Sequence, residues 1–175
     1  MTSTFRYEWQ PLEYYKTDPS VADLTFATAG SACFDLAAFL PEDSWVQTYR
    51  SNREPYKTRV SDGKLRIEAG ARCLVPTGLI FNIKEGWSVR LHPRSGIALK
   101  KGLSLANGEG IIDSDYVEPT FVMLTNTSQH TTHISNGDRV AQAEMVNIPK
   151  YKLIETQVKP GQKTERSGGF GSTGD

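Results

Sequence analysis

The sequence predicts an all-β fold of the jelly-roll or β-sandwich kind, with one short helix. Apolar and polar residues alternate with a period of two along much of the chain, and long helical periodicity does not occur. Turn-forming residues separate the short runs, as at residues 61–64, 84–86 and 136–138. Many short strands with regular turns are typical of antiparallel sheets packed face to face.

Individual elements follow from the same pattern. The turn at residues 61–64 predicts a hairpin that places Arg59 and Val60 opposite residues 65–67. Residues 95–100 are the helical segment, with Ser95 as its N-cap. The other predicted strands cover residues 33–38, 73–83, 87–91, 131–134, 139–148 and 151–156.

The length of 175 residues indicates a single folded domain. We place this β domain at residues 1–158, with a polar segment at 41–62 that is predicted to be an inserted loop or hairpin. From residue 159 the composition shifts to Gly, Ser, Thr and Lys, and Phe170 is the only large apolar side chain. Such a segment cannot build a core, so residues 159–175 are predicted to be a flexible C-terminal arm.

Composition argues against two classes of partner. Twenty basic residues balance twenty acidic ones, so no global field attracts nucleic acid or an acidic membrane. No apolar run approaches the ~18 residues that a membrane-spanning helix needs, and no signal peptide is expected. The two cysteines, Cys33 and Cys73, lie in apolar runs and are predicted to be free thiols of a cytoplasmic protein.

The stretch 108–126 has an acidic centre between two apolar runs. Asp113 and Asp115 point to opposite faces if the backbone is extended, so one can face a ligand while the other faces away. The runs 111–112 and 121–124 predict a bent β-hairpin. Taken alone, the same pattern describes an ordinary hairpin with solvated acids.

Two further stretches are suited to phosphate. At residues 93–100, Arg94 and Ser95 stand at a helix start, where free amides and a guanidinium can hold an anion. At residues 166–174, glycines let backbone amides approach oxygens, and Phe170 can stack on a flat ring. The alternatives are a plain capped turn and a solvated terminus.

Polar side chains elsewhere are weaker candidates. His130 and His133 have metal-like spacing but lack a third ligand nearby. His92, which precedes Pro93, is predicted to be structural. Gln142 is a neutral amide in an otherwise apolar strand, for which a structural hydrogen bond is the default.

Five of these stretches, in the same order, resemble the five motifs of the trimeric deoxyuridine triphosphatase (dUTPase) family. Any one of them is a weak signal, but five in the correct order make chance implausible. The fifth is one residue shorter than usual between Arg166 and its double glycine. The matching stretches are residues 29–36, 93–98, 110–116, 137–142 and 168–174.

The resemblance implies a jelly-roll subunit, a homotrimer with shared active sites, and Mg²⁺-dependent cleavage of dUTP to dUMP and pyrophosphate. By position, Asp113 would activate the attacking water, and Asp35 would hold the metal site through water. Tyr116 would pack against the deoxyribose. The uracil edge would be read by Asn107, by backbone groups of Gly110, Ile111 and Ile112, and by the returning strand near Phe121.

The resemblance also assigns the phosphate contacts. Arg94, Ser95, Gly96 and Gln142 would bind phosphates. The arm would close over uracil and the γ-phosphate through Arg166, Phe170, Gly171, Ser172 and Thr173.

Two alternatives stay open. A deoxycytidine triphosphate deaminase shares this fold, but it needs a Glu placed at the pyrimidine ring, whereas the pattern at 113–116 favours phosphate hydrolysis. The other alternative is a dUTP-gated interaction protein, with the segment 41–62 as the site for a protein partner.

Overall fold

A computed structural model describes residues 9–50 and 54–165, and in that part of the chain thirteen strands and one helix occur. The elements are β1 (Glu13–Lys16), β2 (Phe34–Ala37), β3 (Trp45–Tyr49), β4 (Tyr56–Arg59), β5 (Lys64–Ile67), β6 (Arg72–Pro76), β7 (Leu79–Asn82), β8 (Trp87–His92), α1 (Ser95–Lys101), β9 (Leu103–Leu105), β10 (Gly110–Ile112), β11 (Phe121–Asn126), β12 (Thr132–Ser135) and β13 (Arg139–Asn147).

Two antiparallel sheets enclose the core, and the all-β prediction with one short helix is confirmed. One sheet has the order β10-β8-β13-β2 and the other β4-β3-β6-β11-β9, while β1-β7 and β12-β5 form two-stranded ribbons. Alternate side chains of both larger sheets are buried, as Val89, Val75 and Leu124 show. This period-two burial explains why the sequence alternates.

The predicted hairpin within 108–126 is wrong. β10 pairs with β8, with Gly110 opposite Leu91, whereas β11 pairs with β6 and β9 in the other sheet. The eight residues 113–120 therefore cross from one sheet to the other. Ile112 of one run and Val122 and Leu124 of the other face the core, but from opposite layers. Alternation alone cannot distinguish that arrangement from a hairpin.

The turn at residues 61–64 forms as predicted, but its flanking strands do not pair as predicted. Asp62 and Gly63 both have positive φ, of 51° and 62°, and Ser61 bridges to Lys64. Beyond that bridge the chain changes sheets, because β4 pairs with β3 and β5 pairs with β12. The segment 41–62 thus contains the β3–β4 hairpin. β3 also pairs with β6, so the hairpin is part of the five-stranded sheet.

Two smaller expectations are also wrong. Arg94, not Ser95, is the N-cap of α1, and its side chain makes no capping hydrogen bond to the helix. Residues 151–156 form no strand; Leu153 and Ile154 are exposed at 92% and 82% of their surface. Among the described residues, no helix is long and apolar enough to cross a membrane.

Candidate active site

A cavity of about 300 Å³ opens between the edges of the two sheets. It lies where β10, the edge of the four-stranded sheet, approaches β11 and the turn that follows β9. Ligand pockets in proteins begin at about this volume. The predicted base- and sugar-binding residues all line it: Asn107, Gly110, Ile111, Ile112, Tyr116 and Phe121.

The backbone of β10 forms one wall of this cavity. β10 hydrogen-bonds to β8 on one side only, so backbone groups on its other edge can meet a ligand. Gly110 permits the close packing of β10 on β8, since a Cβ there would lie 3.0 Å from the Leu91 Cβ. A side chain at this position would crowd Leu91, and main chain forms the wall here.

Tyr116 is held in place by its own loop. Its amide donates to the Asp113 carbonyl at 3.1 Å, and its hydroxyl donates to the Pro119 carbonyl at 3.0 Å. The ring is 42% exposed and faces the cavity. Asp113 itself directly follows β10, and its side chain is exposed to solvent.

A second cluster carries charge and lies around Asp35 on β2. The Asp35 carboxylate accepts from Arg94 Nε at 2.7 Å and from Arg139 Nη1 at 2.9 Å. Arg94 Nη1 also donates to the Arg139 carbonyl at 3.1 Å. One carboxylate thus fixes two guanidinium groups side by side, which is the geometry that phosphate recognition uses.

Other predicted phosphate residues flank this cluster. A cavity of about 340 Å³ beside α1 is lined by Arg94, Gly96 and Arg139, together with Lys100 and Lys101. Ser95 and Gly96 are the first two residues of the helix. Gln142 lies opposite Asp35 on the neighbouring strand, and its Nε2 donates to the Pro93 carbonyl at 3.0 Å.

Asp138 closes the far side of the α1 cavity. Burial alone would raise the pKa of Asp138, but the Ser135 amide and the Lys101 ammonium outweigh burial, and that pKa is lowered. Lys101 Nζ lies 2.9 Å from Asp138 Oδ2, so this carboxylate anchors the lysine at the cavity. The pair ties the end of α1 to the turn before β13.

The two clusters are apart within one chain. Gly110 lies opposite Leu91 and Ile112 opposite Val89, so β10 leads Asp113 toward the start of β8, whereas Arg94 follows the end of β8. Val89 and Arg94 are five residues apart, roughly 16 Å of extended chain. A single chain therefore brings Asp113 to the base-sized cavity but not to the guanidinium cluster.

Some residues of the charged cluster were not among the predicted site residues. Arg139 stands within the fourth motif-like stretch, 137–142, so its position there was the available signal. From the sequence alone, Lys100 and Lys101 cannot be distinguished from the basic residues that commonly end an exposed helix. The predicted arm residues Arg166, Phe170, Gly171, Ser172 and Thr173 lie outside the described residues.

The donor set around Asp35 fits a weakly held Mg²⁺. Both Asp35 oxygens already accept from arginines, but an ionised carboxylate offers about four lone-pair sites, so it can still accept from a metal-bound water. Across residues 9–50 and 54–165, no cluster of three metal-ligating side chains occurs. An ion here would take most of its ligands from water and substrate, as Mg²⁺ commonly does.

The fold and these clusters place the protein among dUTPase-like β proteins. A dUTPase of Staphylococcus bacteriophage 80alpha with dUPNHPP superimposes with a TM-score of 0.73 at 17% identity, over 95% of this chain and 100% of that one. A dUTPase from Streptococcus mutans gives a TM-score of 0.62 at 24% identity, over 82% of this chain and all of that one. At these identities the likeness establishes the fold.

Sequence comparison establishes the family. The dUTPase family model matches residues 60–174. A deoxyuridine 5'-triphosphate nucleotidohydrolase of Caulobacter vibrioides is 37% identical over 150 residues, covering 85% of this chain and 83% of that protein. One from Dinoroseobacter shibae is 38% identical over 158 residues, covering 90% of each. The chain belongs to the dUTPase family.

Proposed function

We propose that this protein hydrolyses dUTP to dUMP and pyrophosphate by attack of an activated water on the α-phosphate. The observation that carries the proposal is the cavity lined by Asn107, β10 and Tyr116. Asp113 directly follows Ile112, the last residue of β10 in this lining. Family membership and relatives that bear the name of this activity support it.

Asp113 is the proposed general base. An exposed carboxylate beside a nucleoside-sized cavity can hold a water in line with the α-phosphorus and accept its proton. In-line phosphoryl chemistry depends mainly on such positioning and on neutralising the phosphates. The arginines that Asp35 orients, Arg94 and Arg139, are suited to the second task.

The cavity supplies the proposed specificity. Backbone donors and acceptors on the free edge of β10, with Asn107, can pair with the polar edge of uracil. Discrimination is strong when buried polar groups must all be paired, so a base with the wrong pattern would leave them unsatisfied. Tyr116, fixed through Pro119, would pack against the deoxyribose and leave no room for a 2′-hydroxyl.

Mg²⁺ is the proposed cofactor. A solved dUTPase from phage phi11 of S. aureus coordinates a structural Mg(II) ion. When bound with the triphosphate, Mg²⁺ would neutralise part of its negative charge. Asp35 would hold the ion through water, since its oxygens are already shared by Arg94 and Arg139.

We also propose a homotrimer with shared sites, in the cytoplasm. Asp113 and the guanidinium cluster lie at opposite ends of β8, so a neighbouring subunit can complete the site. The segment after β13 presents apolar side chains that a neighbour would bury: Tyr151, Leu153, Ile154 and Val158, each at least 76% exposed. Two free cysteines fit a reducing compartment.

The deciding experiment measures pyrophosphate release from dUTP, dCTP, dTTP and UTP with Mg²⁺. We expect release from dUTP, with the other three at least a hundredfold slower, because each mismatches the base or the sugar pocket. Ammonia release from dCTP would instead identify a deaminase. Equal rates with dUTP and dTTP would contradict the assignment of the cavity to uracil.

A further inference from the structure

A polar cluster on the outer face of the four-stranded sheet connects the two halves of the candidate site. Asp35, Gln142 and His92 lie side by side across β2, β13 and β8. Glu109 immediately precedes β10, whose first residue lies opposite Leu91, so Glu109 continues the same row beyond His92. The row ends at the turn that carries Asn107.

His92 lies between two carboxylates. Its Nε2 is 3.2 Å from Glu144 Oε1 on β13, and its Nδ1 is 3.8 Å from Glu109 Oε1. Arg90 reaches the other oxygen of Glu109 at 3.5 Å and is itself held by Ser88 Oγ at 3.1 Å. Glu109 therefore contacts two side chains of β8, those of Arg90 and His92.

These contacts act on a turn with few anchors of its own. Gly108 has a positive φ of 72°, and the Glu109 amide donates locally to the Asn107 carbonyl at 2.8 Å. Residues 106–109 connect β9, in one sheet, to β10, in the other. The Glu109 side chain supplies a link from this turn to the central strand β8.

We propose that His92 and Arg90 act through Glu109 as positioning residues for the base-binding turn. The inference rests on the proposed function, because it takes Asn107 and Gly110 as groups that meet uracil. Holding Glu109 fixes the separation between the Asn107 side chain and the free edge of β10. The base contacts are thereby ordered before substrate arrives, and less ordering is left for binding to supply.

The groups that face His92 define its part in this positioning. They are Glu109 from the turn, Glu144 from β13 and Arg90 from its own strand. Glu144, at 3.2 Å, holds the ring from one side, and Glu109, at 3.8 Å, faces it from the other. Because Glu109 also contacts Arg90, loss of the Glu109 charge releases both partners, whereas loss of His92 leaves Arg90 in place.

The test compares three variants. Glu109→Gln removes the charge that both partners contact, His92→Gln removes the imidazole partner, and Glu85→Gln is a matched control at the exposed Glu85–Lys150 pair. KM and kcat for dUTP are measured, together with inhibition by pyrophosphate, which lacks a base. Circular dichroism checks that each variant is folded.

We expect Glu109→Gln to raise the KM for dUTP about two- to fivefold, the range for partly exposed ion pairs. His92→Gln should raise KM by less than Glu109→Gln does, because Arg90 still contacts Glu109. For both variants kcat and the pyrophosphate inhibition constant should stay near wild type, because the turn does not meet the phosphates. Glu85→Gln should match wild type throughout.

An unchanged KM in Glu109→Gln, or a His92→Gln effect larger than that of Glu109→Gln, overturns the inference. So does a parallel change in pyrophosphate inhibition, which would indicate a general disturbance of the sheet. Wild-type protein that fails to hydrolyse dUTP contradicts the proposed function instead, so the two failures are distinguishable.

Discussion

The base-sized cavity and the guanidinium cluster are built from different parts of the chain. The cavity is built from main chain and apolar side chains at the edges of two sheets, and a Cβ at Gly110 would crowd Leu91. The cluster is built from long side chains that one carboxylate, Asp35, holds together. Shape in the first case is fixed by strand pairing, whereas in the second it depends on ion pairs that single substitutions can remove.

The largest expected effect comes from Asp113→Asn, directly after β10. The amide keeps the size of the side chain but cannot accept the proton of the attacking water, so kcat should fall about a thousandfold or more. Folding and binding of a non-hydrolysable dUTP analogue should persist, which calorimetry checks. Near-normal turnover would remove Asp113 from the mechanism.

Removal of residues 166–175 separates catalysis from folding. The buried core runs from Val21 to Ala143, so thermal unfolding should be unchanged. The kcat for dUTP should fall about a hundredfold. Loss of one preorganised hydrogen-bond donor to a charge that develops in the transition state has an effect of this size. Loss of the folded state after this truncation would show that the arm is structural.

Asp35→Asn tests whether the cluster depends on its central anion. An amide can accept from one arginine but cannot compensate two positive charges, so Arg94 and Arg139 should lose their fixed spacing. We expect KM for dUTP to rise about tenfold, in line with the loss of a charged hydrogen bond. The conservative control is Asp35→Glu, and the measurement is steady-state kinetics over a range of Mg²⁺ concentrations. Unchanged KM and Mg²⁺ dependence would assign Asp35 to structure alone.

The smallest expected effect concerns acid stability at Asp138. Its pKa is lowered in the folded protein, so its contribution is present above the unfolded value of 3.8 and is lost as the pH falls further. Asp138→Asn should therefore be less stable than wild type at pH 6, with the difference shrinking below pH 3.8. Urea unfolding at pH 6, 4 and 3 measures this; a difference independent of pH would contradict it.

The sequence predicted local structure better than pairing. Period-two alternation located most strands because burial alternates along each one, as in β11, where Val122 and Leu124 are buried and Phe121 and Met123 are exposed. It could not show that β10 and β11 belong to different sheets, because partner choice depends on residues far away in the chain. For the same reason residues 151–156 were predicted to be a strand, although Tyr151, Leu153 and Ile154 are exposed.

The same distinction between local and long-range structure applies to the candidate site. Asn107, Gly110 and Tyr116 stand within ten residues of one another, so one stretch of sequence brings them to one cavity. The Asp35 pair with Arg139 spans 104 positions and appears only in the structure. His92 was predicted to be structural, and its two glutamate partners come from separate strands and turns that sequence spacing does not connect.

The Asp35 ion pairs have a consequence for small anions. With Arg94 and Arg139 both bound to one carboxylate, the trio carries a single net positive charge instead of two. A lone orthophosphate or sulfate gains little from such a partly neutralised surface, whereas a chain of linked phosphates can contact both guanidinium groups and the lysines beside α1 at once. The internal counter-ion therefore favours a polyphosphate over the abundant monovalent and divalent anions of the cell.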